Sequence, residues 1–478
     1  MKKNIAAVCL HLSLIVVLVC CVGLTGMNEE SGKVDKFTGE LETNVTLRIL
    51  ENDTAIKQGY LAELIAAFNA AYAEYGITAV DANMDQYTDL ANDGPYGYGP
   101  DVLYHANDSL MKYVDNKHIM PLPVDRLESY GETGEKAWEA YTRTVDGEAY
   151  VFGVPVNIQG PLLYYRKDLL PENWEDEWDD DNDGVCDIVQ YWTDLYRYSS
   201  LLKQSDEKAT DGSKRYGYMR SFLEPYFSIG YLYSYGGYTF GNHNTDASDI
   251  GHSAGESEKG GWIIRQLASV MDERCIDDSV TVSAYSALAT GEYFATVTTP
   301  DVYTLFVDEM KNAGYSDEYI EANLIAADIP SLPASGDLED ESAGFIESKM
   351  MGGVQGYAIS SYTKYPNAAL AFVNFATSYT MISRRNELLG IVPAREDVAE
   401  KAGGLSEIIN ENLAEGNIVV MPSISEVAQI WTPLQTFFQD IAKDPFRTGG
   451  QKYDTLDKIK QKLIEVDRQI YNAIFTLA

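Results

Sequence analysis

Asp179, Asp181 and Asp183 alternate through the run Asp179-Asp180-Asp181-Asn182-Asp183-Gly184-Val185-Cys186-Asp187-Ile188-Val189-Gln190, and oxygens at that spacing suit a hard cation such as Ca2+. A calcium loop of the helix-loop-helix type takes its ligands at the first, third, fifth, seventh and ninth positions and turns sharply at a glycine in the sixth. Those places hold the three aspartates, the Val185 carbonyl and Asp187, with Gly184 at the turn. Gln190 stands where the twelfth position expects a bidentate glutamate, which weakens the set. An ion here is expected to be structural, neutralising a crowded loop so that it orders. The competing reading is a solvated acidic loop.

Glu224 and Tyr226 form a second chemical pair. Pro225 suits the first turn of a helix and Gly236-Gly237 its end, so a carboxylate and a phenol flank the helix start. The carboxylate accepts hydrogen bonds and the phenol both accepts and donates, which suits a ligand rich in hydroxyls. Ten aromatics lie between Tyr216 and Phe240, and most of them belong in a core. Gly251-His252-Ser253-Ala254-Gly255 has the outline of a nucleophile elbow. That motif works only when a buried strand delivers the serine to a sharp turn. The preceding GNHNTDASDI is expected to be loop, so Ser253 is read as non-catalytic. There is no phosphate-cradling glycine loop and no histidine pair at zinc spacing.

The elements that must position these residues belong to a long chain. At 478 residues it exceeds what one core usually organises, which favours two or three domains, or two lobes sharing one chain, and 45% hydrophobic against 23% charged residues is an ordinary globular balance. Its 73 acidic and 36 basic residues leave a net charge of −37, a field that repels nucleic acid over most of the surface. The 34 tyrosines and 6 tryptophans suit neutral polyhydroxylated ligands, because each joins a flat apolar face to a polar handle. Three of the five cysteines, Cys9, Cys20 and Cys21, stand near the start, leaving only Cys186 and Cys275 in the body and no disulfide framework.

Lys2 and Lys3 followed by an apolar run through Val19 give the charged-then-apolar pattern of an export signal over residues 1–20. The run is short for a membrane-spanning helix. Residues 21–44 then read as an anchor and polar tether. Beyond it, Val45–Leu50 reads as a strand and about 59–75 as a helix, the opening of an α/β fold. Further strands are expected at 101–104, 149–156 and 160–165, and helices near 192–203, 225–235, 258–273, 365–379 and 455–475. Polar insertions are expected at 176–187, 241–261 and 335–347.

Leu18-Val19-Cys20-Cys21 resembles a bacterial lipobox, which implies lipidation at Cys21. Gly99-Pro-Asp-Val-Leu-Tyr-His-Ala-Asn-Asp108, Leu162-Leu-Tyr-Tyr-Arg-Lys-Asp-Leu-Leu-Pro171, Glu224-Pro-Tyr-Phe227, Gly236-Gly-Tyr-Thr-Phe240, Gly291-Glu292, and Met421-Pro422 with Trp431 occur in the order of the carbohydrate solute-binding proteins of ABC importers. Over about residues 45–475 the chain resembles that family, most of all its maltose/maltodextrin-binding members. The resemblance implies a two-lobed α/β fold of the periplasmic-binding-protein type (class II) with three interlobe crossovers. The expected division is 45–157 with 332–376 in the N-terminal lobe, and 158–331 with 380–478 in the C-terminal lobe, the calcium-like insertion at 176–190 falling in the latter.

It also implies binding without catalysis: Asp108 from one lobe and Glu224 and Tyr226 from the other on the sugar hydroxyls, and Trp431 stacked on a pyranose face. His105 stands where that family has a stacking tryptophan, Ser109 and Gln435 where it has arginines, Gln159 where it has a glutamate, and Asp301 where it has a second tryptophan. Tyr104 and Tyr303 are expected to restore aromatic area. The implied molecule is a monomeric lipoprotein on the outer face of a bacterial membrane that hands an oligosaccharide, of maltodextrin type, to ABC transporter permease subunits. The alternatives are a secreted glycoside-active enzyme and a carbohydrate-binding adhesion lipoprotein.

Overall fold

The computed structural model describes residues 36–85, 90–145, 147–276 and 284–476. The export signal and Cys21 fall outside them. Residues 36–41 belong to a first unit and carry no helix or strand there, and the unit from Glu42 onward holds two principal sheets.

Strands β1 (Val45–Leu50), β2 (Ile77–Asp81), β3 (Val102–Ala106) and β4 (Val154–Gln159) open the first sheet. Strands β5 (Leu162–Arg166), β6 (Tyr216–Met219), β7 (Tyr293–Thr298) and β8 (Leu324–Ala327) make the second. The chain then returns to the first sheet with β9 (Met350–Ile359), β10 (Val392–Pro393) and β11 (Ile418–Val420). The first sheet runs β10-β4-β9-β3-β1-β2 with β11 beside β9, and the second runs β8-β5-β7-β6. β1 lies parallel to β2 and β3, whereas β9 runs antiparallel to both β3 and β4. β5 and β7 are buried along their whole length, as strands covered on both faces must be, and their residues are almost continuously apolar or aromatic. Gly356 permits a close backbone approach in β9: a Cβ there would lie 2.3 Å from the Val154 carbonyl oxygen.

The chain crosses between the sheets after β4, after β8 and again after β11. The third crossing leads to α5 and α6 of a helical layer on the second-sheet side, which is built with helices from earlier in the chain. α1 (Tyr60–Ala71) packs on β2 of the first sheet, while the layer on the second-sheet side includes α2 (Trp192–Gln204), α3 (Pro225–Ser234), α4 (Glu258–Val270), α5 (Trp431–Lys443) and α6 (Leu456–Phe475). α4, α5 and α6 pack together, α6 through Ile459, Leu463, Val466 and Ile470, one buried residue per turn. Among the described residues no helix is long and apolar enough to cross a membrane.

Several expectations change. The helix expected to reach residue 75 stops at Ala71 and tightens into a short 3-10 turn before Gly76, whose φ of +64° ends it. The strand expected at 149–156 is two strands, Glu148–Val151 and β4, broken at Phe152-Gly153. Residues 246–251 form a strand paired with Tyr238–Phe240, but only its last residue, Gly251, is buried, so it is not the buried strand an elbow requires. Ser253 instead donates its backbone N–H to Asp467 on α6. β10 and β11 lie in the first sheet, so the segment from 380 to about 420 does not go with the second sheet as expected. Residues 332–338 pack the other way, Leu332 and Leu338 joining the core around β5–β7 and α2–α6.

Candidate functional site

Asp108 is delivered by β3. The strand ends at Ala106 and the chain turns into the short helix Asn107–Met111. Asn107 fixes that turn: its Nδ2 donates to the Met421 carbonyl at 2.9 Å and to Ser423 Oγ at 2.8 Å, while its Oδ1 accepts the Val354 N–H at 3.1 Å. One buried amide thus ties the site to β9 and to the segment entering α5. Asp108 is half-buried, and its Oδ1 is inaccessible with no hydrogen-bond partner in the protein. Burial pushes its pKa above the usual aspartate value.

Glu224 and Tyr226 stand at the start of α3, as their spacing predicts. Glu224 is exposed and accepts from Arg220 Nη2 at 2.9 Å, and the Arg220 guanidinium lies 3.4 Å from the Phe227 ring centre. The Tyr226 hydroxyl is buried without a hydrogen-bond partner. Burial first, then the charges of Asp301, Glu224 and Asp108, drive its pKa above the usual phenol value. The charges acting on that hydroxyl come from carboxylates carried by elements of both sheets.

Asp301 is exposed on the turn Pro300–Val302 after β7, and Tyr303, half-buried, opens the helix that follows. Beneath them lies Tyr164 of β5, fully buried, its ring centre 6.2 Å from that of Tyr303 and its hydroxyl without a partner. Burial and then the Asp301 charge raise the Tyr164 pKa. Sequence reasoning passed over Tyr164 and Asn107, since a polar tip on a strand otherwise reads as core. The available signal was a tyrosine in a strand that needs only apolar surface.

His105 is half-buried at the end of β3, its Nδ1 accepting the Ala106 N–H at 2.9 Å, and burial lowers its pKa. Tyr104 does not restore cleft area. It is 1% exposed, lies 3.9 Å beneath the Arg385 guanidinium, and turns its hydroxyl to Asn157 and Gln355. Arg385 is itself paired with Glu51, both fully buried, so Tyr104 belongs to the support of the sheet. Gln159 ends β4 where the chain leaves the first sheet, and Trp431 begins α5, half-buried against the second-sheet core. Among the described residues no hydrogen bond or ring contact joins either one to Asp108 or Tyr226.

The acidic loop folds as a tight turn. Asp179, Asp181 and Asp183 each offer an oxygen within 4.8 Å of the others. The Asp183 N–H donates to Asp179 and Asp181 at 3.1 Å each, and the Gly184 N–H to Asp179 at 3.1 Å. Gly184 has φ +82°, which only glycine adopts freely. Val185 is exposed and donates its N–H to Asp183 at 2.7 Å. The two outer members are engaged differently from expectation. Asp187 is buried and accepts the Asp180 N–H at 2.9 Å, closing the loop, while Gln190 donates its amide to Asp183 at 2.9 Å. A neutral amide is drawn to the nearest carboxylate, and a buried carboxylate to the nearest N–H. Three carboxylates facing one point fit a hard cation.

Residues 63–412 match the model of the family described as bacterial extracellular solute-binding protein. The maltodextrin-binding protein MdxE of Bacillus subtilis (strain 168) is 26% identical over 80% of this chain and 82% of its own. The galactooligosaccharide-binding protein of the same organism is 24% identical over 84% and 86%. The maltose-binding protein MalE of Listeria monocytogenes, solved with maltose, superposes with a TM-score of 0.68 at 20% identity, covering 91% of this chain and 98% of that one. That agreement in fold extends over both sheets and their crossings, as the two-lobed arrangement requires. With the family model covering well over half its length, this chain belongs to the bacterial extracellular solute-binding proteins, a family of binders rather than enzymes.

Proposed function

We propose that the protein captures an oligosaccharide, a maltodextrin-type α-glucan, in the cleft between its lobes and delivers it to the permease subunits of an ABC importer. The observation that carries this reading is a pair of buried polar atoms with no partner in the protein, Asp108 Oδ1 at the end of the first sheet's β3 and the Tyr226 hydroxyl at the start of α3. Such atoms are costly to leave unsatisfied, and sugar hydroxyls satisfy acceptors and donors alike. The relatives named for maltodextrin and galactooligosaccharide support the ligand class. Relatives in Streptococcus pneumoniae named as maltooligosaccharide ABC transporter solute-binding lipoproteins support the transporter and the anchor. On this reading the export signal is removed before Cys21, the cysteine is lipidated, and residues up to 44 tether a monomer to the outer face of the membrane. Trp431 supplies the stacking face, with His105, Gln159 and Tyr303 on the cleft walls. Ca2+ held by Asp179, Asp181 and Asp183 orders the insertion, with Asp187, Gln190 and the Val185 carbonyl nearby to complete its shell.

Thermal unfolding against maltooligosaccharides, galactooligosaccharides and unrelated glycans tests the assignment, because a ligand that binds only the folded state raises its stability by mass action. Maltooligosaccharides should raise the melting temperature and remain intact after incubation. A rise with galactooligosaccharides alone would overturn the α-glucan assignment, and release of shorter sugars would return the enzyme alternative.

A further inference from the structure

We propose a second carbohydrate site outside the cleft, in a pocket of about 460 Å³ between the hairpin at 238–251 and β11, which takes a neutral mono- or disaccharide. It borrows its ligand class from the reading above and adds a separate binding event. Tyr238, Asn242, His243, Asp249, Lys349 and Val419 line the pocket, and its volume falls within the range of about 300–1,000 Å³ usual for small-molecule sites. Glu224 precedes the first residue of α3 and Tyr238 follows its end. The ten residues of that helix, a rise of about 15 Å, therefore stand between the pocket and Glu224. The pocket also touches both sheets' elements: Val419 belongs to β11, and Asn244 Nδ2 of the hairpin donates to the adjoining Val420 carbonyl at 3.2 Å.

The hairpin's apex is built to present side chains. Asn242, His243 and Asn244 are all left-handed, with φ of +47°, +56° and +64°, a conformation that L residues adopt singly rather than in runs. Side chains hold it there. Asn244 Oδ1 accepts the Phe240 N–H at 3.1 Å, while Thr245 Oγ1 accepts from Asn242 Nδ2 at 2.9 Å and donates to the Asn242 carbonyl at 2.6 Å. Strain of this kind persists where it places a functional group. Here it leaves His243 exposed and, among the described residues, without a hydrogen-bond or ion-pair partner. Lys349 is exposed too, and its ammonium forms no ion pair among them. The lining suits a polyol: Lys349 donates, the Asp249 carboxylate accepts, and the Asn242 amide oxygen and the imidazole add to both. Lys349 and Asp249 carry opposite charges, so the lining selects neither anion nor cation, and a neutral ligand is indifferent to the net charge of −37. Tyr238 supplies a half-buried flat ring, held by its hydroxyl's 2.7 Å bond to Asp249 and braced on Gly251, where a Cβ would lie 2.2 Å from Tyr238 Cζ.

Calorimetric titration of the full mature chain with maltose, carried to high excess and followed in parallel by the His243 imidazole NMR signal, tests this. Two binding events are expected, the second about tenfold weaker than the first, with the His243 signal moving only during the second. His243→Gly removes the ring yet suits the left-handed backbone. Combined with Lys349→Met it should weaken the second event at least tenfold and leave the first unchanged, whereas Trp431→Ala should weaken the first alone. A His243 signal indifferent to maltose, or a second event that keeps its affinity in the double variant, overturns the second site while a first event sensitive to Trp431→Ala leaves the cleft reading standing. A single event that is lost in the double variant and untouched by Trp431→Ala upholds this pocket and removes Trp431 from the sugar's path. If the folded protein binds no maltose at all, both fall.

Discussion

Trp431 is the residue on which the stacking proposal rests, and its setting makes the test clean. It is half-buried at the first position of α5, so its indole is not part of the fully buried core formed by Leu434, Phe437, Phe438 and Ile441 of the same helix. Trp431→Ala should weaken binding of a maltooligosaccharide by about 1–3 kcal/mol, the worth of a large aromatic face at a binding site. Its unfolding midpoint in denaturant should stay close to the parent's. Unchanged affinity by calorimetry would move the platform elsewhere. The place of Glu224 and Tyr226 at a helix start was legible from Pro225 and Gly236-Gly237, whereas Asp108 was singled out only through the family resemblance. Tyr104 misled for the opposite reason. Its phenol is consumed by a buried network with Asn157, Gln355 and the Arg385–Glu51 pair, partners drawn from distant parts of the chain that no local pattern connects. Tyr164 and Asn107 share that history: a buried polar tip reveals its purpose only when the atoms around it are known.

Elements were read best where one face is apolar at a fixed period. β1 and α3 fall within a residue of expectation, and α6 does too, because its buried residues recur once per turn. The strand at 246–251 was missed since DASDIG has no apolar alternation, and it is held mainly by its neighbour at 238–240. The chain just beyond that hairpin is pinned to α6 by Asp467 and, at the Gly255 carbonyl, by Lys460 Nζ at 2.7 Å. Asp467 accepts from His252 Nδ1 at 2.8 Å and from the backbone N–H groups of His252 and Ser253 at 3.1 and 2.8 Å. Asp467→Ala should cost about 1–3 kcal/mol by leaving buried donors unpaired, read as a lowered denaturant midpoint and faster amide exchange at 251–255. The acidic loop carries the other element-scale prediction. Asp179, Asp181 and Asp183 crowd together and, among the described residues, form no ion pair, while Arg197 is engaged with Asp194 at 3.5 Å and stacked on Trp178. Removing Ca2+ should restore their repulsion and lower the melting temperature, and adding Ca2+ back, but not Na+ at equal ionic strength, should recover it. A melting temperature indifferent to chelation would leave the loop as solvated acid.

At the scale of the whole molecule, the family and the two-lobed plan were legible because several short segments keep their order along the chain. The division of the chain between the lobes was not. The strands at 392–393 and 418–420 are two and three residues long, too short to show a period, and they join the first sheet by adding to β4 and β9. The plan has a mechanical consequence. Asp108 is carried by the first sheet, while Glu224, Tyr226 and Asp301 are carried by elements packed on the second. A ligand that uses all of them binds best when the two sets approach, and its differential affinity for that arrangement sets how far the population shifts. A difference of about 1.4 kcal/mol between open and closed states changes their ratio tenfold. Small-angle scattering with saturating maltooligosaccharide should therefore show a smaller radius of gyration than without it, and Asp108→Asn should need more sugar to reach the same compaction. Asp108→Asn removes a charge but keeps the shape, so any shift reports the strength of one wall of the clamp. Sugar bound with full stoichiometry and no change in radius would mean that one lobe holds the whole site, and the two-walled arrangement would have to be abandoned.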